Sequence, residues 1–135
     1  MLAVRHTAYV TLDSALQIIE FSNQAQQFAD AAYSLEPQSA FDFSFPELIG
    51  MEDDLQAVVQ GKQSYFNLYA IARPQADGDL LYFDLHVLSL AKSAEEFPGS
   101  SLILLLEDVT ERLTLEQKLV QASNEMSLLL NRPPA

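Results

Sequence analysis

Apolar and polar positions divide the chain into segments of different period. Residues 9–12 and 16–21 are short runs rich in β-branched and aromatic side chains, separated by the turn-like Asp13-Ser14-Ala15, which is the pattern of a hairpin. Asn23 is a helix-capping residue type, and Ala25, Phe28 and Ala29 follow at helical spacing, predicting a short helix over 23–32. Over 34–50 the period is lost. Phe41, Phe43 and Phe45 sit there among Pro37, Ser39 and Pro46, and a solvated linker would be polar, so this stretch is expected to fold back on a core with only a turn or two of helix.

Glu52-Asp53-Asp54 precedes Leu55, Val58 and Val59, and Gly61 follows, which places acids at the positive end of a helix and glycine at its stop. Residues 64–73 and 80–90 then flank a turn at 75–79, a long hairpin in which Asp77-Gly78 supplies the reversal. On its second arm Leu80, Tyr82, Asp84, His86 and Leu88 share one face, and Leu81, Phe83, Leu85 and Val87 the other. On the first arm simple alternation sets Tyr65, Tyr69 and Ile71 against Phe66, Leu68 and Ala70. After a loop at 91–99 comes a strand over 101–107, and its Leu102-Ile103-Leu104-Leu105-Leu106 is apolar on both faces, so both faces are expected to be covered.

The last segment changes period. Asp108 stands three residues before Glu111, the spacing of a capping box with Asp in the usual Ser/Thr role, and predicts a helix over 111–131 that Pro133-Pro134 ends. Leu115, Leu119, Ala122, Met126 and Leu129 recur at steps of 4, 3, 4 and 3, the seam of a coiled coil.

Composition narrows the function. A chain of 135 residues, 49% hydrophobic, is the size of one domain with one core. A net charge of −12 opposes nucleic acid and anionic membrane surfaces as partners, because affinity for phosphates comes from Lys and Arg. The longest aliphatic run is five residues against the roughly 20 of a membrane helix, and residues 1–10 lack a signal-peptide stretch, so a soluble, cytoplasmic domain is expected. With no cysteine the chain has no disulfide, thiolate metal site or thiol nucleophile. Only two histidines occur, too few partners for a hydrolytic triad: His6 reads as a solvated terminal residue and His86 as a structural or surface one. Asp53-Asp54 reads as helix-start charge rather than a metal loop, and Gly61-Lys62 lacks the other glycines of a phosphate cradle. No enzymatic activity is expected, and no catalytic, cofactor-binding or metal-binding residue is assigned.

Three places resemble a PAS domain, the sensor and dimerisation module of many signalling proteins. They are residues 16–25, a strand running into an asparagine-capped helix; the helix ending Val58-Val59-Gln60-Gly61-Lys62 with the hairpin after it; and Asp108-Val109-Thr110-Glu111-Arg112, similar to the tail that leaves the last PAS strand and starts a signalling helix. The resemblance implies an α+β fold: a five-stranded antiparallel sheet with short helices on one face, continued by a C-terminal coiled-coil helix. It divides the chain into an N-terminal segment at 1–8, the PAS domain at 9–110, the signalling helix at 111–131 and a tail at 132–135. It also implies a homodimer whose motion is relayed through Asp108, Val109, Thr110, Glu111 and Arg112 to an effector outside this sequence, a histidine kinase or nucleotide cyclase. The PAS region associated with haem nitric-oxide sensors is one subtype that fits.

Dimer contacts are expected from Leu102, Leu104 and Leu106 together with Leu115, Leu119, Ala122, Met126 and Leu129. The helix start is expected to be fixed by Asp108, paired with Arg112 one turn on. The alternative is a sensor holding haem or a small ligand in an apolar cavity lined by Phe28, Leu55, Val59, Phe66, Leu68, Phe83 and Leu85; the same residues would otherwise simply fill the core. The absence of cysteine excludes flavin-thiol photochemistry, and no histidine occurs in the helix that would present one to haem.

Overall fold

A computed structural model describes residues 7–90 and 95–130. Five strands, β1 (Thr7–Leu12), β2 (Ile18–Phe21), β3 (Tyr65–Pro74), β4 (Leu80–Ser89) and β5 (Leu102–Asp108), form one antiparallel sheet in the order β2-β1-β5-β4-β3. The chain's first and last strands therefore lie side by side in the middle of the sheet. Between β2 and β3 run a 3₁₀ turn (Ala25–Phe28), the helix α1 (Phe41–Ser44), a second 3₁₀ turn (Pro46–Leu48) and the helix α2 (Glu52–Val59); after β5 comes α3 (Thr110–Leu130). His6, the N-terminal segment as far as residue 6, part of the loop at 91–94 and the tail from 131 with its Pro133-Pro134 stop lie outside the described residues.

One face of the sheet carries the core. Val10, Leu12, Ile18, Phe83, Leu85, Val87, Leu102, Leu104 and Leu106 are fully buried there, against Ala25, Phe28, Phe45, Leu48, Leu55 and Val58 of the connecting segment. Phe28 and Phe83 meet edge to face with ring centres 5.3 Å apart. The aperiodic stretch does fold back as its phenylalanines require, with Phe41 and Phe45 buried. Removing such a fully buried ring costs about 3–5 kcal/mol, so these contacts hold the connection to the sheet.

Turn chemistry matches the residues. The end of α2 is closed by two backbone bonds, Lys62 N–H to the Ala57 carbonyl at 2.9 Å and Gly61 N–H to the Val58 carbonyl at 3.1 Å, with Gly61 at φ +74°. This is the helix-ending motif that needs a left-handed residue, which glycine supplies without strain. In the β3–β4 hairpin Gly78 has φ +90° and Asp79 N–H donates to the Asp77 carboxylate.

Three expectations are corrected. The helix predicted over 23–32 is only the 3₁₀ turn: Ala29 is extended, Asp30 turns its carboxylate onto the Ala32 N–H, and Asp30 N–H is taken by the Ser44 carbonyl, so helical bonding has no continuation. Asn23 makes no cap, since the residue ahead of that turn is Gln24, without a side-chain bond. In β3 the register shifts between Leu68 and Ile71, which brings Ile71 opposite Phe83 and onto the core face with Phe66 and Leu68.

Candidate functional site

The outer face of the sheet and the root of α3 hold the polar groups that the core excludes. Antiparallel pairing places Asp84 directly opposite Glu107 and His86 opposite Leu105. Two carboxylates facing each other across strands repel. Arg112, from the first turn of α3, reaches over both: its Nη2 lies 3.1 Å from Asp84 Oδ2, its Nη1 4.0 Å from Glu107 Oε1, and its Nε 3.8 Å from Glu116 Oε1. Asp84 is buried although it belongs to the outer face, its side chain 4% exposed against 53% for Arg112. Its second oxygen, Oδ1, accepts from the Ala70 N–H at 2.9 Å, a donor presented by the β3 irregularity.

His86 extends the cluster. Its Nδ1 lies 2.7 Å from Asn67 Oδ1. A carbonyl oxygen only accepts, so this contact suits the tautomer with its proton on Nδ1, in which Nε2 is the lone-pair nitrogen. Asp84, His86 and Glu107 each bring one ligand-type atom within 4.8 Å of the others. Sequence reasoning assigned none of these as a ligand. The shared face of Asp84 and His86 was visible in the alternation, but Glu107 joins them only through the β4–β5 register.

The segment 108–112 welds strand to helix. Val109 is buried, and its N–H donates to the Tyr82 carbonyl at 2.8 Å. The Thr110 hydroxyl accepts from Tyr82 N–H at 2.9 Å and faces the Tyr82 carbonyl at 3.3 Å, so it grips one residue of β4 from both sides. Asp108 Oδ1 accepts from Thr110 N–H at 2.9 Å, one position short of the Glu111 N–H that a capping box uses. Glu111 is exposed. The expected Asp108–Arg112 pair is replaced by Arg112–Asp84, because the arginine turns toward the sheet and the two opposed carboxylates rather than back along its own helix.

Beyond Leu113, which is half-buried, every residue of α3 is exposed. Leu115, Leu119, Ala122, Met126 and Leu129 thus form an apolar stripe with no cover from the described residues. Leu102, Leu104 and Leu106, expected at a dimer contact, are instead wholly buried in the core; the outward row of β5 is Ile103, half-buried, and Leu105, 38% exposed. The seven residues expected to line a cavity do come together over the inner face: Phe28, Leu55, Phe83 and Leu85 fully buried, with Val59, Phe66 and Leu68 packed at the margin. No helix among the described residues is long and apolar enough to cross a membrane.

No protein-family model matches the chain, and no curated protein matches it.

Proposed function

We propose that the chain is a non-catalytic regulatory module of the PAS type, which homodimerises and relays a change in its sheet through α3 to an effector, a histidine kinase or nucleotide cyclase. The five-stranded antiparallel sheet with short helices packed on one face agrees with what the sequence resemblance implies.

The observation that carries the reading is the way α3 leaves the sheet. Val109, Thr110 and Arg112 bind its first turn to Tyr82 and Asp84 of β4, while the remaining helix presents an apolar stripe to solvent. A helix of 21 residues with no buried side chain gains little from its own domain, whereas most helical stability in proteins comes from packing an apolar face. Pairing with a second α3 along Leu115, Leu119, Ala122, Met126 and Leu129 covers the stripe. A helix rigidly rooted at one end and paired along its length converts rotation of the sheet into a change in crossing angle.

The absence of native cysteine allows a direct test. In a parallel dimer Leu119→Cys lies at the seam and forms an interchain disulfide under mild oxidation, whereas Asn124→Cys, on the opposite face of the helix, does not. Sedimentation at micromolar concentration accompanies it. A monomer in solution, or equal cross-linking at both positions, overturns the dimeric reading.

A further inference from the structure

We propose that Asp84, His86 and Glu107 form a binding site for a first-row divalent transition ion such as Zn2+, and that this ion and Arg112 occupy the site in mutual exclusion. The inference does not depend on the function proposed above, since it concerns groups within one chain.

The donor set is one imidazole nitrogen and two carboxylate oxygens, a combination that suits zinc and its neighbours better than magnesium or calcium, which take oxygen alone. Each of two ligands is already held by a second group. Asn67 Oδ1 lies 2.7 Å from His86 Nδ1, so with the proton on Nδ1 the ring is held and Nε2 is the nitrogen open to a metal ion; the Ala70 N–H holds Asp84 Oδ1 at 2.9 Å. Such outer partners orient metal ligands, and their loss commonly weakens binding about 10- to 100-fold. The ligand-type atoms lie within 4.8 Å of one another, a separation that small adjustments, chiefly of Glu107, would close around one ion.

The opposed carboxylates of Asp84 and Glu107 demand a cation between them, and Arg112 now supplies it. Two cations do not share the site. Arg112 is half exposed and can swing into water when a metal ion enters, which removes the ion pair between α3 and β4 and leaves the Val109 and Thr110 bonds to Tyr82. By linkage, whatever removes Arg112 strengthens metal binding by the same factor that the metal weakens the arginine's hold.

The test is calorimetric titration of ZnCl2 into the whole chain carrying His6→Ala, which removes the other histidine, with MgCl2 as the comparison. One Zn2+ per chain is expected, with no comparable uptake of Mg2+. His86→Gln and Glu107→Gln should each weaken Zn2+ binding at least tenfold, Asn67→Ala should weaken it about 10- to 100-fold, and Arg112→Ala should tighten it. Circular dichroism confirms that each variant is folded; Glu107→Gln, a near-isosteric change at a partly exposed position, keeps the test decisive if His86→Gln is not. Amide exchange over residues 111–116 should quicken when Zn2+ is added. Binding unaltered by Glu107→Gln, or left unchanged or weakened by Arg112→Ala, overturns the proposal.

Discussion

Among the described residues two arginines pair with carboxylates, and burial separates their roles. Arg73 is a core residue: its Nε donates to the Phe28 carbonyl at 2.9 Å, its Nη2 meets Glu47 Oε1 at 2.6 Å, and its guanidinium lies 5.6 Å from the centre of the Phe83 ring. It therefore ties the 3₁₀ turn at Phe28 and the second turn at Glu47 to the edge strand β3. Arg112 is half exposed, and its longer contacts to the similarly exposed Glu107 and Glu116 are worth little to stability. Replacing Arg73 with Met leaves Glu47 and the Phe28 carbonyl without their donor, and a cost of about 3 kcal/mol is expected. Glu47→Gln keeps an acceptor for the same nitrogen and should cost about 1 kcal/mol. Lysine cannot reproduce the fork that serves both partners, so Arg73→Lys should resemble Arg73→Met more than wild type. Urea unfolding midpoints at constant m-value distinguish these outcomes; equal stability of Arg73→Met and wild type refutes the assignment.

At the scale of elements, the β3 irregularity connects fold to site. Ala70 has φ +54°, a left-handed conformation that a Cβ makes unfavourable by about 1–2 kcal/mol. That strained residue turns its N–H to Asp84, the carboxylate that also receives Arg112. Ala70→Gly relieves the strain while keeping the N–H, and is expected to raise stability by up to about 1 kcal/mol despite the greater freedom of glycine when unfolded. Ala70→Pro removes the N–H and should destabilise; thermal melts of the two variants shifting in the same direction would contradict this account. The extra residue was not legible beforehand, because a bulge leaves composition untouched and shows only as Ile71 on the side that alternation denies it. The β4 faces were legible, since Leu81, Phe83, Leu85 and Val87 alternate without interruption. So was the end of α2, where Gly61 is followed by no further helical pattern. The pattern over 23–32 does not distinguish a helix from what forms, because Ala25, Phe28 and Ala29 are buried by a 3₁₀ turn as well as by an α-helix, and the competing bonds come from Asp30 and the distant Ser44. The partner of Arg112 was likewise hidden: Asp84 is 28 residues away and meets it only through strand register.

For the whole molecule, charge and apolar surface act in opposition. A second copy brought against the outer sheet face and α3 covers Leu105, Ile103, Leu115 and Leu119, but it also brings together two chains of net charge −12. Association is then driven by apolar burial and resisted by like charge. Screening weakens the resistance, since the Debye length falls from about 30 Å at 0.01 M salt to about 10 Å at 0.1 M. The proposed dimer is therefore expected to tighten as NaCl is raised from low to moderate concentration, opposite in sign to an assembly held by intermolecular ion pairs. Adjacent leucines on β5 separate interface from core in the same assay. Leu104 is fully buried, and Leu104→Glu places an unpaired charge in the core, which should abolish the folded far-ultraviolet spectrum. Leu105 points outward beside Tyr9 and His86, so Leu105→Glu should keep the wild-type spectrum while raising the dissociation constant and steepening its dependence on salt. Circular dichroism reads the spectrum, and sedimentation equilibrium across a salt series reads the dissociation constant and its salt dependence. Weakening of the wild-type dimer by added salt would mean that ion pairs, not the apolar stripe, hold the two copies together.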